Sequence, residues 1–130
     1  MLVLYSNVVL RACGAEHGFR ELLDDELVSP PLMWSEARSS LHEAMWRREV
    51  TVRHALDTLE QLESAPVRPR SHRSLGGEAW RIADALGWAK TYDAEYVALA
   101  SLLGCRLVTL DASLRRGADR LGFVVGPAEL

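Results

Sequence analysis

Two rhythms of apolar and polar positions alternate along this chain. Short, largely apolar runs stand at Leu2–Leu4, Leu27–Val28, Arg106–Thr109 and Phe123–Val125. Each is bounded by Gly, Pro or polar residues, the pattern of a buried strand. Between them apolar residues return every three or four positions, the pattern of a helix with one buried face. Ser6–Asn7 can open the first helix, and Glu16–Asp24 reads as a short second one. Ser29-Pro30-Pro31 ends the second strand, and proline is well tolerated at a helix start. A long helix is predicted from about Leu32 to Arg48, its stripe being Met33, Ala37, Leu41, Ala44 and Met45. Thr51 is placed to cap the next helix, through about Glu63, with Val52, Leu56, Leu59 and Leu62 inward.

The stretch Pro66–Arg73 reads as a short strand at Val67 or as a loop. Ser74 is then expected to cap a helix carrying Ala79, Ile82, Ala83 and Leu86, ended near Gly87. Further helices cover about Asp93–Leu103, ended by Gly104, and Ala112–Leu121, ended by Gly122. Strands alternating with helices predict an α/β fold, a parallel sheet of four to five strands flanked by helices. Ligand sites in such sheets form beyond the carboxyl ends of the strands, where Tyr5 and Asp111 fall.

Composition narrows the class. A chain of 130 residues fits one domain over its whole length and can bury a real core. Apolar residues make up 48% and charged residues 25%, ordinary for a globular protein. The net charge of −3 argues against a generally basic nucleic-acid binder and leaves room for a local basic patch. Lys90 is the only lysine, so basic contacts would be mostly arginine forks suited to phosphate. Cys13 and Cys105 form no CxxC pair, which fits a reducing, cytoplasmic setting. The apolar opening is short and lacks a basic leader, so it reads as a first strand and not as a signal peptide. No apolar run approaches the roughly 20 residues of a membrane span.

The chemistry lies in the acids. Asp93 falls in the first turn of an apolar helix, where a carboxylate complements the helix dipole. It shares a face with Val97 and Ala100, and a carboxylate on such a face needs a partner or a metal. Asp111 precedes a helix and is a good N-cap as well as a candidate ligand. Glu36 sits at the edge of the stripe of the long helix, as a solvated surface group or a third ligand. All three belong to elements that can reach one end of the sheet.

These residues carry a resemblance to the PIN-domain ribonucleases, and within them to the VapC toxins of bacterial toxin–antitoxin pairs. AWRIADALG, YDAEYVALA and LVTLDASL, followed by a helix and LG, stand as that family writes them. LVLYSNVVL also matches, and PLMWSEARSSL matches more loosely. The resemblance implies a PIN-like three-layer α/β fold over residues 1–130 as one PIN domain. It implies a Mg²⁺- or Mn²⁺-dependent endoribonuclease with Glu36, Asp93 and Asp111 as catalytic and metal-holding residues, and Ser6 or Asn7 orienting a ligand or water. It implies a VapB-type antitoxin, a transfer or ribosomal RNA loop and a second copy as partners. The family's first Asp falls on Tyr5. A phenol, with an ordinary pKa near 10, is a poor ligand for Mg²⁺, and hard-metal hydrolysis of a phosphodiester needs oxygen ligands with open positions for water and phosphate. Impaired cleavage is therefore expected, with a non-catalytic module that binds antitoxin or RNA as the alternative.

Other features are weaker. His42-Glu43 begins like HExxH but lacks the second His, and Gly76-Gly77 lacks the Lys-Ser/Thr of a P-loop. Arg68, Arg70 and Arg73, with His72, are a solvated loop or a phosphate-contacting cluster. Trp34, Trp46, Trp80 and Trp88 are candidates for core, interface or base stacking.

Overall fold

The computed structural model describes residues 1–130. The apolar runs become five parallel strands: β1 (Leu2–Leu4), β2 (Leu27–Ser29), β3 (Arg68–Pro69), β4 (Arg106–Val108) and β5 (Val124–Val125). They lie in the order β3-β2-β1-β4-β5. Leu2 sits beside Leu27 on one side and Arg106 on the other. β1 and β2 are buried at every position, as central strands covered on both faces must be.

Six helices flank the sheet: α1 (Ser6–Gly14), α2 (Leu32–Trp46), α3 (Val52–Glu63), α4 (Leu75–Leu86), α5 (Tyr92–Leu103) and α6 (Ala112–Ala118). α1, α2 and α3 pack on one another, while α4 runs along α5, which lies on β1 and β4. Residues Ala94 and Tyr96 through Ala100 of α5 are fully buried, so this helix is enclosed almost all round. Its alanines let neighbouring backbones come close, and Gly104 in the left-handed region ends it.

Several expectations need correction. No α-helix covers Glu16–Asp24. Gly18 adopts φ +58 there, and only a 3₁₀ turn at Arg20–Leu22 follows. That segment buries Phe19 alone and has no apolar stripe to reward a helix. The third strand is at Arg68–Pro69, one residue beyond Val67. The long helix stops at Trp46 because Arg48 takes φ 60. Ser74 stands at the start of α4, but its hydroxyl caps nothing; its backbone N–H donates to His72 Nδ1 instead. The last helix gives way to a 3₁₀ turn at Asp119–Leu121, and the last strand begins at Val124, one residue late.

The largest correction concerns α3. Val52 and Leu56 are 61% and 56% exposed. Ala55, Thr58 and Leu62 face inward instead, with Leu59 at the margin. α3 docks against α1, and a Cβ added at Gly14 would lie 3.5 Å from the His54 ring. Small residues suit that close approach, which turns the larger apolar ones outward. With Leu41 and Met45 of α2, Leu56 and Leu59 line an apolar groove of about 430 Å³.

The cap of α3 is as expected, with Thr51 Oγ1 accepting from the His54 N–H at 3.0 Å. Thr51→Ala should lower stability by about 1 kcal/mol, read as a shift in urea midpoint at constant slope. A neutral result would mean that water replaces the hydroxyl fully.

No helix is long and apolar enough to cross a membrane. Cys13 and Cys105 are both free. Burial pushes the Cys13 thiol up to about 11, leaving it protonated at neutral pH.

Candidate active site

The chain leaves β1 at Leu4 and turns into α1, which sets Tyr5 at the carboxyl edge of the sheet. The Tyr5 hydroxyl donates to Asp93 Oδ1 at 2.7 Å. One turn along α5, the Tyr96 hydroxyl donates to Glu36 Oε1 at 2.6 Å. The two phenol rings lie with centroids 4.7 Å apart, tilted by 51°. Tilted aromatic pairs at such spacing are attractive beyond their buried area. Two carboxylates from α2 and α5 are thus each held by a tyrosine, and the tyrosines are held by each other.

Asp111 begins α6 as its N-cap, its Oδ1 accepting from the Leu114 N–H at 3.0 Å. Its own N–H donates to Thr109 Oγ1 at 3.0 Å. Asn7 Oδ1 accepts the Leu110 N–H at 3.2 Å and so ties the loop after β4 to α1. Ser6 is buried, and its hydroxyl lies against the Tyr96 phenol.

The electrostatics follow from this crowding. Burial, then the bond to Asp93, then the charges of Asp93, Glu36 and Asp111 drive the Tyr5 pKa far above its ordinary value. Tyr5 therefore stays neutral and is neither a nucleophile nor an anionic ligand. All three acids add to this rise at one phenol. Tyr96 is shifted upward by burial first and by Glu36 second.

For Glu36, burial is the largest influence and holds its carboxyl above the ordinary 4.5, against the pull of the Tyr96 bond. Asp93 and Glu95 add to the rise. An acid with a raised pKa binds its proton more tightly in the folded chain than in the unfolded one. Its contribution therefore favours folding at low pH and is lost as pH climbs from the ordinary value through the raised one. Glu36→Gln removes the charge and keeps an oxygen for Tyr96. The expected result is a higher Tm than the parent at neutral pH, with the gain disappearing near pH 4, read by scanning calorimetry. No gain at neutral pH would mean that the Tyr96 bond to a charged partner outweighs burial.

The donor set does not fit a resident divalent ion as it stands. No three His, Cys, Asp or Glu side chains approach closely enough to share one. At Asp93 one carboxylate oxygen is already taken by the Tyr5 hydroxyl.

The predicted basic cluster lies on and after the edge strand β3. Arg70 follows β3 at the same carboxyl edge, its N–H donating to Ser29 O. Arg68 and Arg73 are exposed, Arg70 is half-buried, and none of the three is in an ion pair. Trp34 and Trp88 are half-buried, whereas Trp46 and Trp80 are open to solvent. Tyr96 was not singled out from the sequence. Its signal was its place three residues after Asp93, on the same side of one helix.

A parallel five-stranded sheet with helices on its faces and acids at its carboxyl edge makes this an α/β protein with a candidate acidic site. The PIN domain family model matches residues 3–120, and the chain belongs to that family. PIN domains are in general metal-dependent nucleases. A crystal structure of PAE2754 from Pyrobaculum aerophilum is similar in fold, with a TM-score of 0.74 and 22% identity over 98% of this chain and 91% of that one. No curated protein matches the sequence.

Proposed function

We propose that this chain is a VapC-like toxin, an endoribonuclease of the PIN family whose metal-dependent cleavage of RNA is impaired by Tyr5. The observation that carries this is the 2.7 Å hydrogen bond from the Tyr5 phenol to Asp93. In this reading Glu36, Asp93 and Asp111 are the catalytic acids and the ligands of Mg²⁺ or Mn²⁺ in a working site. Ser6 and Asn7 support them from α1, Asn7 by fixing the loop that carries Asp111. Arg68, Arg70 and Arg73 contact RNA phosphates from the edge of the sheet. A VapB-type antitoxin is the proposed partner, and the apolar groove between α2 and α3 supports either antitoxin docking or a homodimer.

The experiment compares the chain with its Tyr5→Asp variant on total RNA across a Mg²⁺ and Mn²⁺ titration, with Asp93→Asn in the variant background as blank. Cleavage by Tyr5→Asp alone supports the reading. A folded Tyr5→Asp chain that cuts nothing removes it, and the second reading takes its place: a non-catalytic PIN module that binds antitoxin or RNA. That second reading draws on the lack of any three metal-binding side chains in reach of one ion.

A further inference from the structure

A cavity of about 520 Å³ opens beside the tyrosine–carboxylate cluster, between the loop joining α4 to α5 and the start of α6. Glu36, Asp93 and Asp111 line it, and so do Trp88, Lys90 and Tyr92. The size is that of a small-ligand site. Its aromatic side is built rather than incidental. The backbone N–H of Trp88 donates to Ala83 O at 2.8 Å, which fixes the chain there. Its indole lies over Gly117, where an added Cβ would come within 3.2 Å of Trp88 Cζ2. A side chain at that position would push the indole out of place. Tyr92, the first residue of α5, is 58% exposed, an unusual position for a large ring with no packing role. The only lysine of the chain stands between the two aromatics.

The acidic side has unused capacity. Oδ1 of Asp93, Oε1 of Glu36 and Oδ1 of Asp111 each accept one bond from the protein. Their second oxygens accept none, and none is a buried atom lacking a partner, so each reaches solvent. Three open carboxylate oxygens repel a phosphate. They accept well from an N–H donor, as carboxylates do from the exocyclic amino group of cytosine. A group that fits both sides has a flat π-face for Tyr92 and Trp88, amino hydrogens for the acids, and a phosphate outside for Lys90.

We propose that this cavity seats one unpaired, amino-bearing base of a single-stranded RNA, stacked on Tyr92 and hydrogen-bonded to the open carboxylate oxygens. The inference rests on the RNA reading above and adds to it a base preference and the residues that impose it. Tyr5 contributes by leaving those oxygens free of a shared ion. Uracil offers these acids a single N3–H flanked by two carbonyl acceptors, in place of the two hydrogens of the cytosine amino group, and is disfavoured.

The test measures fluorescence anisotropy of labelled oligocytidylate and oligouridylate strands with the full chain in EDTA, which excludes metal-bridged binding and cleavage. The parent is expected to bind oligocytidylate about fivefold or more tightly than oligouridylate. Tyr92→Ala should weaken binding about tenfold, Tyr92→Phe should keep it, and Trp80→Ala, at an exposed aromatic outside the cavity, should match the parent. Lys90→Ala should weaken both strands alike and reduce the salt dependence. Equal affinity for the two strands, or a Tyr92→Ala chain that binds RNA as the parent does, overturns the inference and leaves the RNA reading standing. A parent that binds neither strand also overturns the inference, while the cleavage test of Tyr5→Asp decides the RNA reading separately.

Discussion

Tyr5→Asp is expected to turn a chain with little or no nuclease activity into a metal-dependent one, with a gain of about 10²-fold or more in cleavage rate. The size follows from what an ion supplies: several kcal/mol of charge stabilisation at the phosphoryl oxygens, each 1.4 kcal/mol being tenfold in rate. The substitution removes a bulky neutral ring beside Asp93 and frees the Asp93 oxygen that the phenol now occupies. It also adds a fourth negative charge there. In a buffer without divalent ions the variant should therefore be less stable than the parent, because like carboxylates crowded together raise one another's pKa and repel. Mn²⁺ should then raise the Tm of the variant far more than that of the parent. Stability and cleavage are independent readouts. A variant that gains Mn²⁺-dependent stability without cutting RNA would keep the metal site and lose the nuclease.

The second large effect is expected at Tyr96. It heads the fully buried side chains by size and is 0% exposed. Tyr96→Ala should cost about 3–5 kcal/mol, the range for removing a large aromatic from a core, and Tyr96→Phe about 1–2 kcal/mol for the hydrogen bond to a charged partner that water partly reaches. Packing thus outweighs the hydroxyl in stability, though the hydroxyl is what holds Glu36 at the site. Urea unfolding of the two variants decides between them. Equal losses would mean that the core closes around the missing ring and that the bond to Glu36 dominates.

Much of this was legible in the sequence, and what was missed has a physical pattern. The central strands, α5 and the Asp111 cap were readable because each is decided locally, by a continuous apolar run, an enclosed alanine-rich helix, or a capping carboxylate. The inward face of α3 was not. Val52 and Leu56 are larger apolar side chains, but the face of the helix that is buried carries Ala55, Thr58 and Leu62, with Thr58 beside Gly14 of α1. Glu16–Asp24 had helix-forming residues without the stripe that makes a helix worthwhile in a folded chain. At the site, a need for a partner at Asp93 followed from its place on a buried face. That the partner is the phenol of Tyr5, 88 residues away, is a fact of tertiary structure. The Tyr96–Glu36 bond, across 60 residues, lay equally out of reach.

The sheet ends on both sides in strands of only two residues, Arg68–Pro69 and Val124–Val125. One of them carries a charge and a residue with no amide hydrogen to lend. Open borders of a sheet are the usual template on which further chains add and fibres grow, and brevity, charge and proline are the known defences. This molecule has little border to offer. Copies crowded together, as in a cell that accumulates the protein, should meet through their helices and stay in discrete assemblies instead of growing into fibrils.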